Sequence, residues 1–289
     1  MNSKFTRSLL GIFALATLGT AVLPTQVQAS TIVLNSGQGL TPSVTDTNIT
    51  YWTLGVPVSP LSPITFTAAD FLKAQGIGCS GPDICGSAKV VADFPFASPP
   101  WIPSLPHAPN ARWINWEVGP SPSFYGSPAA SVLYAYRFNV PEPTINSAAI
   151  EMYWAVDDIL GEFIPGFPDP NPIGVYINGA PLSSSFSGAG RFPEYSASQS
   201  GIGGFLNPGP NNWLYVYQRD AGGALSGTIF CASISVNVPS SGRKPCAAPV
   251  PEPSSIIGLA VLSTLGAAST LKRQIKSSKP SEKETTKVG

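Results

Sequence analysis

The clearest structural signal in the chain is Val132-Leu-Tyr-Ala-Tyr-Arg-Phe-Asn-Val140. Every second residue of this stretch is apolar: Val132, Tyr134, Tyr136, Phe138 and Val140. Successive side chains of a β-strand point to opposite faces of the sheet, so a period of two puts this whole set on one face. The stretch therefore predicts a strand with one buried side.

The same alternation occurs twice more, in Ile150–Val156 and in Thr228–Val238. The predicted inward residues are Ile150, Met152, Trp154 and Val156 in the first, and Phe230, Ala232, Ile234, Val236 and Val238 in the second. Further strands are predicted at 31–35, 49–54, 111–118, 173–178 and 213–219. Asn178-Gly179 is a tight-turn signal. One short helix is predicted at 68–75, capped by Thr67 and ended by Gly76.

Composition supports an all-β fold, which we predict to be an antiparallel β-sandwich with one short helix. The 289 residues include 28 Gly and 31 Pro, which argues against a long helical bundle. Sixteen basic and sixteen acidic residues cancel, so the sequence predicts no nucleic-acid partner. A single histidine makes a multi-histidine metal enzyme improbable. Residues 30–249 alone are mildly acidic, which permits cation binding.

The first 29 residues are typical of a secretory signal peptide. Lys4 and Arg7 precede an apolar run, Leu9 to Val22, and Val27-Gln-Ala29 places small residues where a signal peptidase cuts. We expect cleavage before Ser30. An N-terminal membrane anchor is the alternative, although the apolar run is short for a membrane span.

The C-terminal region combines three features in order. Pro251, Glu252 and Pro253 precede an uncharged stretch, 256–271, which a basic cluster beginning at Lys272 follows. The stretch is long enough for a minimal membrane helix, and the basic flank predicts a cytoplasmic tail with the bulk of the chain outside. Residues 274–289 are predicted to be a disordered cytoplasmic tail.

This combination over residues 250–273 resembles the PEP-CTERM sorting signal of Gram-negative bacteria. The resemblance implies an exported protein whose partners are the export machinery, inner-membrane lipid and an exosortase-type membrane protease that cuts near the motif. Family members usually stop soon after the basic cluster, whereas this chain continues to Gly289, so cleavage and lasting membrane attachment both stay open. Val140-Pro-Glu-Pro143 repeats the tetrapeptide without the span or the basic cluster, and we interpret it as a strand-to-turn junction.

A second resemblance covers residues 95–238 and is carried by several short pieces. They are Trp101-Ile102, Asn110–Ile114, Tyr134–Phe138, Trp154–Asp158, Val175–Gly179 and Leu206–Leu214. Together they resemble the galactose-binding-domain-like jelly rolls of secreted bacterial proteins. The resemblance implies two packed antiparallel sheets, sugar binding by edge loops and, in some members, a structural calcium ion. We expect residues 30–95 to add strands and a covering loop, and residues 96–249 to form the β-sandwich domain.

The four cysteines are Cys79, Cys85, Cys231 and Cys246. Four thiols allow three pairings, and export favours oxidation. We favour 79–85, which closes a short loop containing Gly and Pro, together with 231–246. Cys231 falls on the outward face of its predicted strand, beside Ser233 and Ser235, where a returning chain can reach it. A zinc site is the alternative, but the spacing lacks a close cysteine pair.

Two groups of residues are candidate binding sites. Trp52, Trp101, Trp113 and Trp116 are candidate carbohydrate contacts, although buried aromatic residues also fill β-sandwich cores. Because Trp113 and Trp116 differ by an odd number, they face opposite ways in a regular strand, and one of them is expected to be exposed. Asp157, Asp158, Glu162 and Asp169, with Asn171, are candidate calcium ligands; alternatively the first two cap the turn after the Trp154 strand.

No catalytic residue is predicted. His107 lies in a loop without a Gly-x-Ser-x-Gly motif, and sequence cannot pair Glu117, Asp157, Asp158 and Glu162 across a cleft. We therefore expect a non-catalytic exported protein of the cell surface or extracellular matrix, associated with polysaccharide and without a cofactor other than a structural calcium ion. A carbohydrate-binding module with a defined loop pocket and a glycoside hydrolase-like enzyme are the alternatives.

Overall fold

The computed structural model describes residues 29–53, 65–81, 83–93, 100–116, 131–161, 173–219, 226–239 and 246. Its strands are β1 (Ser30–Asn35), β2 (Thr45–Thr53), β3 (Ile84–Val90), β4 (Ile114–Asn115), β5 (Val132–Val140), β6 (Ala148–Leu160), β7 (Val175–Ile177), β8 (Ala180–Pro181), β9 (Gly188–Ser200), β10 (Gly209–Arg219) and β11 (Gly227–Val236). One α-helix, α1 (Ala68–Ala74), and a 3-10 turn at Ile202–Phe205 complete the described elements.

All described strand pairings are antiparallel, and the sheet curls until it meets itself. The strand order is β8-β7-β10-β5-β2-β3-β4-β11-β6-β9, with β1 beside β11. The end of β10 also pairs with the end of β6, Gln218 with Leu160 and Arg219 with Ile159. A mostly β, curled antiparallel sheet with one helix is consistent with the predicted β-sandwich, while the jelly-roll connectivity stays a prediction.

The inner core lies between the two halves of the curled sheet and follows the predicted alternation. Phe138, Ile150, Met152 and Trp154 are all at most 5% exposed and belong to this core. The predicted inward residues of β11 from Phe230 to Val236 are buried there as well. Burial of one face by period-two apolar residues is therefore confirmed for all three stretches, except at two positions. Tyr136 is only half-buried, and Val238, also half-buried, lies beyond the end of β11 at Val236.

Helix α1 covers the outer face of one half of the sheet. Thr67 accepts a hydrogen bond from the Asp70 backbone, and the Asp70 side chain accepts one from the Thr67 backbone, which is a complete capping box. Gly76 follows the helix with a φ of 81°, as expected of a glycine that ends a helix. Phe71 packs against Tyr176 and Tyr215 of the sheet. The predicted helix, its start and its Thr67 cap are confirmed, and its last residue is Ala74, one before the predicted Gln75, which is the C-cap.

A segment at residues 100–113, which we call the strap, covers the outer face of the other half. Trp101 and Trp113 stack with ring centroids 4.1 Å apart, and Trp113 Nε1 donates to the Ile102 carbonyl. The strap packs against Tyr153 of β6 and Ile229 of β11 in a second apolar cluster. The strand predicted at 111–118 begins too early, because residues 111–113 belong to the strap; β4 is the described part of it in the sheet, and residues 117 and 118 lie outside the described residues.

Residues from both predicted regions contribute to the same sheet. β1 pairs with β11, and β2 lies between β3 and β5. No helix within the described residues is long and apolar enough to span a bilayer. The predicted membrane helix 256–271, the sorting motif Pro251–Pro253, the tail 274–289 and the predicted signal peptide up to residue 28 lie outside the described residues.

Candidate functional site

The four cysteines form two disulfides with the favoured pairing. Cys79 bonds Cys85, and Cys231 bonds Cys246. Cys231 lies on the outward face of β11, as the alternation predicted, and its disulfide is fully buried beneath the strap. Because disulfides persist in oxidising compartments, the two bonds indicate an extracellular or otherwise oxidising environment.

The four tryptophans proposed as carbohydrate contacts are buried. Trp52, Trp101 and Trp116 are 5–7% exposed, and Trp113 is 1% exposed. Trp113 belongs to the strap cluster and Trp116 to the inner core, so the two rings do face opposite ways. The expected exposure of one of them was wrong, because Trp113 belongs to the strap and is buried there against Trp101 and the outer face of the sheet.

The predicted calcium ligands are only partly described. Asp157 lies inside β6, opposite Gly227, and is 2% exposed. The idea that Asp157 and Asp158 cap a turn was wrong, since β6 continues to Leu160. The side chain of Asp158 and the residues Glu162 and Asp169 lie outside the described part. Within that part no group of three or more potential ligands could hold a metal ion, and calcium binding stays a prediction.

His107 is part of a polar cluster that joins the strap to the sheet. Its Nδ1 lies 2.5 Å from Glu194 Oε1 of β9, and its ring stacks on Tyr153 of β6 at 4.4 Å. Tyr153 donates a hydrogen bond to Glu151, and burial together with this carboxylate raises the pKa of Tyr153 to about 12. The polar groups of this cluster bond one another within the fold, so the cluster holds the strap on the sheet.

One tryptophan, Trp213, is partly exposed. It belongs to β10 and lies on the outer side of the sheet, next to the area that α1 covers. The Arg137 guanidinium lies over the Trp213 ring, 6.0 Å from its centroid, at the outer limit of a cation–π contact. Arg137 also donates to the Pro210 carbonyl and to Asn211 Oδ1, each at 3.0 Å. Asn139 is exposed two residues further along β5, on the same face as Arg137.

We call Trp213, Arg137, Asn139 and Asn211 the Trp213 shelf. Its backbone is fixed by two amide side chains. Asn178, at the β7–β8 turn with a φ of 51°, accepts a hydrogen bond from the Trp213 backbone at 2.8 Å. Asn212 is fully buried and bonds both Asn207 and Gly209, which holds the loop before β10 in place. The shelf is therefore a rigid part of the sheet surface.

The chemistry of the shelf suits a polyhydroxylated ligand. A flat indole face packs against the apolar C–H face of a sugar ring, while amide and guanidinium groups at its border can exchange hydrogen bonds with hydroxyl groups. A preformed surface loses little conformational entropy when it binds. The sequence contained one relevant signal, the run Leu206–Leu214, but alternation alone could not show that α1 stops short of Trp213.

Comparison with known proteins identifies no family for this chain. No protein-family model matches the chain, and no curated protein matches it either. Among solved structures, the fold is similar to a native family 35 carbohydrate-binding module from Clostridium thermocellum, with a TM-score of 0.25 and 11% identity, covering 46% of this chain and 85% of that one. A likeness this distant does not indicate a function for this chain.

Proposed function

We propose that the protein is an exported, non-catalytic protein of the cell surface or extracellular matrix that associates with polysaccharide through the Trp213 shelf. The single observation that supports the sugar-binding part is the partial exposure of Trp213 on the outer side of the sheet, with Arg137 and Asn211 beside it. The other five tryptophans are at most 7% exposed, so the shelf is where an indole ring can meet a ligand among the described residues.

Two disulfides support the export part of the proposal, because such bonds are rare in reducing compartments. The signal peptide at 1–29 and the PEP-CTERM-like segment at 250–273 supply the proposed route. Mass spectrometry of the protein from its native host tests this route, since it reports both cleavage points. Full-length material in the cytosol with its first 29 residues intact would contradict export.

Binding is tested on the full-length chain in a sugar-free detergent against a panel of polysaccharides and a glycan array. We expect Trp213→Ala to lower the affinity for the best ligand at least about tenfold, which corresponds to about 1.4 kcal/mol. Leu72→Ala is the matched control, because Leu72 is an exposed apolar residue of α1 outside the shelf. We expect this control to bind as the unaltered protein does.

Two results would remove the polysaccharide proposal. One is the absence of binding to any glycan by folded protein with both disulfides intact. The other is equal loss of binding in Trp213→Ala and Leu72→Ala, which would show that the shelf has no specific role. Retained binding in Trp213→Ala would instead favour a pocket formed by the loops, the alternative that the jelly-roll resemblance implies.

A further inference from the structure

The strand order ends at β8 on one side and at β9 on the other, and β9 is the longer of these two edge strands. β9 is the last strand in that order, after β6, and no described strand pairs with its other side. We infer that the segment Ser196–Ser200 pairs with the same segment of a second copy of this chain, antiparallel and about a two-fold axis. This contact is independent of the Trp213 shelf.

The edge is regular enough to act as a template for another strand. From Ser196 opposite Tyr153 to Ser200 opposite Ala149, the pairing with β6 runs without a register shift. The register shifts occur only nearer the start of β9, beyond Trp154. A regular strand at a sheet edge presents a row of backbone donors and acceptors in the plane of the sheet.

Charge, proline and bulges, three usual protections of an edge strand, are missing from this segment. Exposed edges are commonly blocked by charged side chains, proline, bulges or very short strands. Ser196–Ser200 contains no charge and no proline. The nearest described charge along β9 is Glu194, which is engaged with His107. By contrast, β8 at the opposite end of the strand order is two residues long and ends in Pro181.

The side chains of the segment favour a second copy over another kind of partner. Ser196, Ser198 and Ser200 are exposed. These small hydroxyl side chains offer no charge to attract an ionic partner and no apolar surface for a hydrophobic one. Two identical uncharged edges meet without repulsion, and an antiparallel pair about a two-fold axis is self-complementary. A short edge contact is weak, so it forms mainly where copies are concentrated, as on a surface.

The test is cysteine crosslinking of the full-length chain in host membranes. All four native cysteines are in disulfides, so Ser198→Cys introduces the single free thiol. We expect mild oxidation to give several-fold more homodimer with Ser198→Cys than with Thr41→Cys, an exposed turn position used as the matched control. Adding Ser200→Lys should suppress the dimer, because residue 200 would lie opposite Ser196 of the second copy, and a lysine on a strand edge disfavours pairing with another strand.

Three other outcomes would contradict the inference that two copies pair through Ser196–Ser200. Equal crosslinking of Ser198→Cys and Thr41→Cys would indicate random collision. Crosslinking of Ser198→Cys to a different protein, without homodimer, would show that another chain occupies the edge. A dimer unaffected by Ser200→Lys, in protein whose melting temperature matches that of the single variant, would place the contact elsewhere. Glycan binding measured on the same variants stays unchanged if the shelf and the edge are separate sites.

Discussion

Asp83 connects three parts of the molecule through one carboxylate. Its Oδ1 accepts hydrogen bonds from Lys73 Nζ of α1 at 3.0 Å and from Trp52 Nε1 of β2 at 3.1 Å. The Lys73 ammonium also lies 4.8 Å from the Trp52 ring centroid. The Asp83 side chain, close to the Cys79–Cys85 disulfide in the sequence, is 16% exposed. The hydrogen bond from Lys73 is the largest cause that lowers the pKa of Asp83.

This lowered pKa predicts a contribution to stability at acid pH. A carboxyl whose folded pKa is below its ordinary value of 3.8 stabilises the fold above that value and loses its contribution as pH falls through the folded pKa. We therefore expect Asp83→Asn to be less stable than the unaltered protein at pH 5, with a difference that shrinks toward pH 2. Urea unfolding across this range measures it. Asp93→Asn, at an exposed position, is the control; a constant difference for Asp83→Asn would contradict the prediction.

Single residues also show what sequence could not predict. The alternation correctly assigned Trp154 to the inner core, because its neighbours in a strand determine the face. It could not assign Trp101 or Trp213, since the exposure of an outward side chain depends on which distant segment covers it. Trp101 is buried in the strap cluster, whereas α1 leaves Trp213 partly exposed.

At the scale of elements, α1 is held to the sheet by one face and begins with a strong local signal. Phe71 and Ala74 are the buried residues of a helix only seven residues long. So short a helix is unstable alone, and it depends on its cap and its packing.

Thr67→Ala tests this dependence. Removing the capping hydroxyl is expected to lower the free energy of unfolding by about 1 kcal/mol. The measurement is chemical denaturation, and hydrogen exchange of the α1 amides should show the same loss locally. Thr41→Ala, an exposed position outside the helix, serves as the control. An unchanged stability would mean that the packing of Phe71 alone fixes the helix.

The sequence predicts some of the strands better than others. β5 was predicted to the residue, and β6, β10 and β11 were predicted over most of their length, because they bury one apolar face. β9 was missed, since most of its residues are small or polar and it includes a proline, and its position comes from pairing with β6. Edge strands of this kind carry little hydrophobic pattern of their own.

At the scale of the whole molecule, the sheet curls until β10 pairs with β6, and a disulfide bond lies on each of its two outer faces. Cys79–Cys85 lies beside α1, whereas Cys231–Cys246 crosses the strap cluster. The spacing of the cysteines in the sequence favours this same pairing. The spacing could not show that the second bond is fully buried, because its burial comes from the strap.

The two disulfides are expected to differ in their effect on stability. By loop-closure entropy, the loop of 15 residues closed by Cys231–Cys246 is worth about 3 kcal/mol and the loop of six closed by Cys79–Cys85 about 2 kcal/mol. Double Cys→Ser variants measured by denaturant unfolding test this order. We expect the 231–246 variant to lose more, since it also disturbs a buried cluster. A larger loss in the 79–85 variant would contradict this reading.

The bond between Cys231 and Cys246 also determines how the domain bears mechanical load. A force applied to the chain beyond Cys246 reaches Cys231 through the covalent bond and bypasses the intervening residues. Cys231 lies in β11, which pairs with β6 over ten residues and with β1 over six. Tension applied from the C-terminal side would thus be shared along two hydrogen-bonded ladders, and the domain would resist unfolding strand by strand from that end.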